Sequence, residues 1–208
     1  MGRSADTFKR GGSRFKPLPT VLVLCEDLKS GKCYLEDAAV HFRANAKVLV
    51  SHCGVTHPKG IVENAISNNK KYDRIFCVID RDTHESFDEA LLLAAKHENI
   101  TIIASYPCFE FWLLLHFGYT RKPFARSGKQ SAGDLVSAEL KTKPGMENYV
   151  KSGAAGYFKK LIGDRFAEAR KVAPRVAADV GRSGESNPST DIHLLIDEFE
   201  SLAKPSEK

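Results

Sequence analysis

The sequence predicts an α/β fold: a mostly parallel four-stranded sheet flanked by helices, followed by a C-terminal helical extension. Three observations carry this prediction. Short runs rich in Val, Ile and Leu recur at Thr20–Cys25, Lys47–His52, Arg74–Ile79 and Ile100–Ser105. Segments of helical spacing separate them, as parallel strands buried on both faces require, because such strands must be joined by crossovers. A composition of 42% hydrophobic and 27% charged residues over 208 positions suits one sizeable core with an appendage.

The elements follow in order. Residues 1–19 are polar and basic, with Arg3, Lys9, Arg10, Arg14 and Lys16, a Gly11-Gly12-Ser13 break and closing prolines, and read as a flexible arm. After TVLVLC, apolar residues at Leu35, Ala38, Ala39 and Phe42 recur at helical spacing within Tyr34 to Ala46. Then come KVLVSH, a helical segment from Gly60 to Ser67, RIFCVI, a helix from Phe87 to His97, ITIIAS, and the helical run CFEFWLLLHF. These make a core over residues 20–118. Residues 119–154 shift to Lys, Arg, Gly, Ser and Pro, with a helical piece from Asp134 to Leu140, and read as a basic connecting segment. The extension, residues 155–208, holds a helical stretch from Ala155 to Val180 that Pro174 should kink or split, then a turn-rich GRSGESNPS. It closes with a helix bearing Ile192, Leu195, Ile196 and Phe199, for which Ser189, Thr190 or Asp191 supplies a cap.

Composition narrows the function classes. Collagen, acidic disorder and coiled coil do not fit it. Lys and Arg number 31 and Asp and Glu 26, a net charge of +5 that suits a polyanionic partner such as nucleic acid. No run approaches the ~18 apolar residues that cross a bilayer, and no apolar segment follows the N-terminal charges. The expectation is a cytoplasmic protein without membrane association. Its five cysteines, Cys25, Cys33, Cys53, Cys77 and Cys108, include no CxxC and read as reduced core residues.

The informative feature is the position of the acids. Glu26 directly follows the first strand, Asp80 and Asp82 follow the third, and Glu110 opens the helix after the fourth. In a doubly wound parallel sheet all of these lie at the carboxyl ends of strands, where such folds place ligands. Asp80 and Asp82 share a face if strand geometry persists through Arg81. Like charges so close repel unless a cation sits between them, and hard oxygen ligands suit Mg²⁺ or Mn²⁺. The chemistry implied is metal-assisted attack on a phosphate ester. Asp at a strand end also serves as a turn former or helix cap. Asp27 and Glu85 are nearby acids with weaker claims to the site, since either also suits a solvated loop charge.

Other clusters say less. His52, Cys53 and His57, even with Cys33 or His84, match no common zinc spacing. His57 instead suits a substrate contact. His84, just past the acid pair, suits general acid or base work as well as an exposed loop histidine. Phe109, Trp112, Leu113 and Phe117 have the spacing of a core-facing helix, and His116 and His193 lie on apolar helices as core histidines do. Arg121, Lys122, Arg126 and Lys129, joined by Lys141, Lys143, Lys151, Lys159 and Lys160, make an electrostatic track for nucleic-acid phosphates or a solvated basic loop.

The segments VLCE at 23–26, VIDRD at 78–82, PCFEFWLLLHF at 107–117, GYFK at 156–159 and NPSTDIH at 187–193 together resemble the RloB family, over roughly residues 14–200. That resemblance implies a TOPRIM-like core in which a Glu after the first strand and a DxD after a later one hold Mg²⁺, here Glu26, Asp80 and Asp82, with Glu110 matching a recurrent acid. It also implies a nuclease associated with restriction loci, anti-phage defence and abortive infection, often beside a partner ATPase. The sequence departs from the family where a Gly usually follows the first acid: Asp27 stands there, and LKSGKCYL fills the next segment.

The leading expectation is therefore a Mg²⁺- or Mn²⁺-dependent nuclease. Its catalytic residues are Glu26, Asp80, Asp82, Glu110 and His84, and the four acids are its metal ligands. Its substrate is RNA such as tRNA, or DNA; a homo-oligomer is compatible with the sequence. FCVIDRDT also has the DxDxT form of haloacid-dehalogenase-type phosphatases, whose first Asp is a nucleophile, although that motif normally lies on the first strand. A noncatalytic module that binds nucleic acid or an ATPase is the third reading.

Overall fold

The computed structural model describes residues 19–42, 47–81, 86–151 and 156–203. Strands β1 (Thr20–Cys25), β2 (Lys47–Ser51), β3 (Arg74–Asp80) and β4 (Ile100–Tyr106) alternate with helices α1 (Ser30–His41), α2 (Pro58–Asn68) and α3 (Phe87–Ala94). There follow α4 (Glu110–Leu115), α5 (Ala132–Lys141), α6 (Tyr157–Leu161), α7 (Asp164–Ser183), β5 (Ser189–Thr190) and α8 (Ile192–Ala203). The sheet order is β2-β1-β3-β4-β5, parallel throughout except for β5, which pairs antiparallel with β4 through Ser105 and Tyr106.

The pleat divides the core between the two faces of the sheet. Val21, Val23, Cys25, Phe76, Val78 and Ile103 face α1, α4, α7 and α8, whereas Leu22, Leu24, Ile75, Cys77, Ile79 and Ala104 face α2 and α3. In β1, β3 and β4 both faces are largely covered, which is why they read as continuous hydrophobic runs, whereas the edge strand β2 buries only Val50. Asp80 continues the even series of Phe76 and Val78, so the pleat directs it toward the α1 and α4 side.

Three expectations need correction. The sheet has five strands, not four. The fifth is the Ser189-Thr190 pair, too short for alternation to register and expected only as a helix cap. Thr190 does both jobs, since its hydroxyl also accepts from Ile192 N–H at 3.3 Å. Pro174 does not split its helix: α7 runs through it over 20 residues. Burial of Phe166, Ala169, Val172, Ala173 and Val176 outweighs the local loss of one ladder bond, about 3 kcal/mol. The break falls instead at Gly163, whose φ of 93° suits glycine and separates α6 from α7.

The C-terminal region is continuous with the core. Ile192, Leu195, Ile196 and Phe199 of α8 belong to the same buried cluster as Val21 and Trp112. The 119–154 segment likewise contributes buried Val136, Leu140, Met146 and Tyr149. Of the basic arm expected over 1–19, all but Pro19 lies outside the described residues. Among the described residues, no helix is long and apolar enough to cross a membrane.

Candidate functional site

The carboxyl edge of the sheet gathers the acids as the order of strands requires, since β1 and β3 are neighbours and β4 lies beside β3. Glu26 N–H donates to the Val78 carbonyl at 3.0 Å, and Glu26 Oε2 accepts from Asp80 N–H at 3.0 Å, so the first acid is fastened across the β1–β3 pair. Beyond β4, the chain turns through Tyr106-Pro107 into α4, and Phe109 N–H donates to Asp80 Oδ1 at 2.9 Å. That turn delivers Glu110, which is wholly buried.

Glu110 is held unequally. Its Oε1 accepts from the Tyr149 hydroxyl at 2.8 Å, with the Ser30 hydroxyl at 3.1 Å. Its Oε2 is buried with no hydrogen-bond partner, and the Lys151 ammonium stands 3.6 Å away. Of the two readings the sequence leaves open for Asp27, a minor site acid or a solvated loop charge, the second does not hold. Asp27 caps the first turn of α1, accepting from Lys29 N–H at 2.9 Å, Gly31 N–H at 3.0 Å and the Ser30 hydroxyl at 2.5 Å. A helix cap accounts for an acid where the family usually has glycine.

Electrostatics mark this edge as crowded with negative charge. Desolvation is the main cause that lifts the Asp80 carboxyl well above its usual range, followed by the charge of Glu110; Lys151 opposes, and Glu26 and Asp27 add to the rise. Asp27 goes the other way: burial raises it, but its hydrogen bonds to Ser30, Gly31 and Lys29 prevail and hold it low. Cys108, against the same acids, has its thiol raised by burial and by Glu110 and Asp80, so it stays protonated and inert.

A cavity of about 290 Å³ opens beside Asp80, lined by Pro107, Cys108, Ser131, Gly133, Ser137 and Lys141, with Tyr149 and Lys151 on its other wall. Gly133, Ser137 and Lys141 succeed one another at four-residue steps and so form one face of α5. On the other side of Lys151 lies a depression lined by Glu26, Asp27, Lys29, His52 and Thr56.

Sequence-predicted residues divide accordingly. Glu26, Asp80 and Glu110 converge; Asp82, His84 and Glu85 lie outside the described residues. His57 Nδ1 accepts from Gly60 N–H at 3.1 Å and caps α2, a structural task that replaces the substrate contact expected of it. His52 faces the acids while Nδ1 donates to the Cys25 carbonyl at 2.9 Å. Arg121 binds the carbonyls of Pro188 and Glu185, and Lys122 pairs with Glu139 at 2.7 Å. Arg126 and Lys129 are exposed near the Ser127–Gln130 turn, and neither lines the cavity beside Asp80. Lys141 and Lys151 do. Tyr149 and Ser137 were not legible as site residues, and Lys151 was expected only as part of the phosphate track, because nothing in the spacing of NYVK announces its pairing with Glu110.

Among the described residues, no three His, Cys, Asp or Glu side chains are already arranged around a common metal position. The donor set nevertheless fits a hard divalent cation. It offers carboxylate oxygens from Glu26, Asp80 and Glu110, one of them buried and without a hydrogen bond, and a mutual repulsion that a cation would relieve. No curated protein and no solved structure matches the chain. The RloB-like protein family matches residues 21–199, most of the chain, and the chain belongs to that family.

Proposed function

We propose that this protein is a metal-dependent nuclease that hydrolyses phosphodiesters at the edge where Glu26, Asp80 and Glu110 meet. The observation that carries the reading is the set of acids from three different strand ends held against one another, with an orphaned Glu110 oxygen and an Asp80 carboxyl lifted well above its usual range. Structural carboxylates are ordinarily paired or solvated; several acids gathered at one edge of the sheet, with openings on both sides of Lys151, favour a functional site.

In this reading Glu26 and Asp80 would hold Mg²⁺ or Mn²⁺, with Glu110 behind them; Asp82, the second acid of the DxD pair, lies outside the described residues. The bound ion supplies Lewis acidity to a phosphate oxygen and a water acidic enough to attack at neutral pH. The chain's own groups position the substrate. Lys141 and Ser137 on the exposed face of α5 offer a cation and a hydroxyl to the nucleic-acid backbone beside Asp80. The Phe109 N–H fixes Oδ1 of Asp80, whose side chain lines the cavity. Residues Arg126 and Lys129, exposed and farther from the acids, extend the track by nonspecific phosphate attraction. A defence role and an ATPase that activates the enzyme, which rest on the family resemblance, and a cytoplasmic location, which rests on the composition and the cysteines, complete the proposal.

The test is a cleavage time course on tRNA, single-stranded DNA and duplex DNA with Mg²⁺, Mn²⁺ or EDTA, comparing the parent with Asp80→Ala. Cutting that needs the metal and disappears in the variant, with the fold retained by circular dichroism, is the expected result. Equal cutting by both chains would overturn it. Absence of cutting by the parent, repeated after addition of the neighbouring ATPase, would favour a noncatalytic binding module.

A further inference from the structure

We infer that Lys151 is a built-in counter-ion of the acidic site, standing where its ammonium and a divalent cation compete for the same carboxylates. The inference rests on the metal reading above. Lys151 separates the two openings of the site, lining the cavity beside Asp80 and the depression beside Glu26. Its ammonium lies 3.6 Å from Glu110 Oε2, close enough to neutralise charge and too far to hydrogen bond, so this buried oxygen has a counter-charge but no bonded partner. Burial works against its charge, but Glu110, Asp80 and Asp27 outweigh this and hold its proton firmly.

The same stretch of chain separates what is fixed from what moves. Tyr149 is 1% exposed and donates to Glu110 Oε1, anchoring the backbone, whereas the Lys151 side chain is 51% exposed and ends in a hydrated head on a flexible stem. The head can leave the acids without disturbing the core. Two cations cannot share these carboxylates without mutual repulsion, so metal loading must displace the lysine.

Calorimetric titration with Mn²⁺ alone tests this on the parent, Lys151→Met and Lys151→Arg. The Met variant, which keeps the stem and loses the charge, is expected to bind Mn²⁺ roughly tenfold more tightly, and the Arg variant like the parent. Equal or weaker binding by Lys151→Met would overturn the inference and leave the metal site standing. No Mn²⁺ binding by any of the chains would overturn the metal reading itself, and this inference with it. A second readout needs no variant: labelling of the parent by an amine-specific reagent, followed by peptide mass spectrometry. Mn²⁺ is expected to raise the Lys151 labelling rate several-fold against exposed Lys70, and an unchanged ratio would contradict displacement.

Discussion

The short helix α4 carries a buried ionisable residue at each end, and the two are treated in opposite ways. At its start, Glu110 is wholly buried with one oxygen lacking a hydrogen bond, beside an Asp80 whose carboxyl is lifted by burial first and by the charge of Glu110 second. Just past its end, His116 is equally buried, but Nδ1 donates to the Trp112 carbonyl at 3.0 Å and Nε2 accepts from the Tyr34 hydroxyl at 3.1 Å. Rings of Tyr34, Trp112 and Phe166 pack around it. Burial alone therefore does not separate site from scaffold. The difference lies in the ionisable group itself: both ring nitrogens of His116 have partners, whereas Glu110 keeps one oxygen with no hydrogen bond and only the Lys151 ammonium at 3.6 Å.

The sharpest way to break this comparison is activity. Asp80→Ala should lower metal-dependent cleavage by at least about 10³-fold, while His116→Gln, if it folds, should leave the rate per folded molecule unchanged. A rate loss of similar size in both would erase the distinction between the two ends.

Stability against pH comes next, and the two ends predict opposite signs. Burial depresses His116 from 6.5 to about 4, so the native chain binds fewer protons than the unfolded chain in that window. Its contribution is present above about pH 6.5 and is lost as pH falls toward 4, up to about 3 kcal/mol. Asp80 is raised instead, so its contribution is largest at low pH and is lost as pH rises through its elevated value. Denaturant titrations of the parent, His116→Gln and Asp80→Asn across pH 4–8 separate the two. The first variant should lose the fall toward acid, and the second the fall toward neutral pH.

Two smaller effects sharpen the picture. In EDTA at pH 7.5, Asp80→Asn keeps an acceptor for Phe109 N–H while removing a repelled charge, and should raise the melting temperature by about 2–4 °C. Lys141→Ala should weaken nucleic-acid binding a few-fold, and Lys129→Ala less, because only Lys141 lines the cavity beside Asp80; fluorescence anisotropy at two salt concentrations would measure both.

Much of this was legible before the structure. The parallel strands announced themselves because both faces of β1, β3 and β4 are largely covered, and the acids at their ends followed from chain order alone. What stayed hidden has physical reasons. Ser189-Thr190 pairs with β4 through main-chain bonds that leave no sequence pattern. Asp27 caps α1 through Ser30 and Gly31, a spacing shared with many solvated acids. Lys151 reaches Glu110 across 41 positions of chain, and Tyr149 across 39, distances over which no local periodicity operates. Pro174 misled because local propensity yields to tertiary burial.

On the proposed reading, the acids at the carboxyl edge take up a divalent cation. Thermal melting of the parent, Asp80→Asn and Glu26→Gln in EDTA and in Mn²⁺ tests it most directly. The expected result is a melting temperature that Mn²⁺ raises in the parent and leaves unchanged in both variants. An equal Mn²⁺ response in all three chains, or none in the parent, would contradict it.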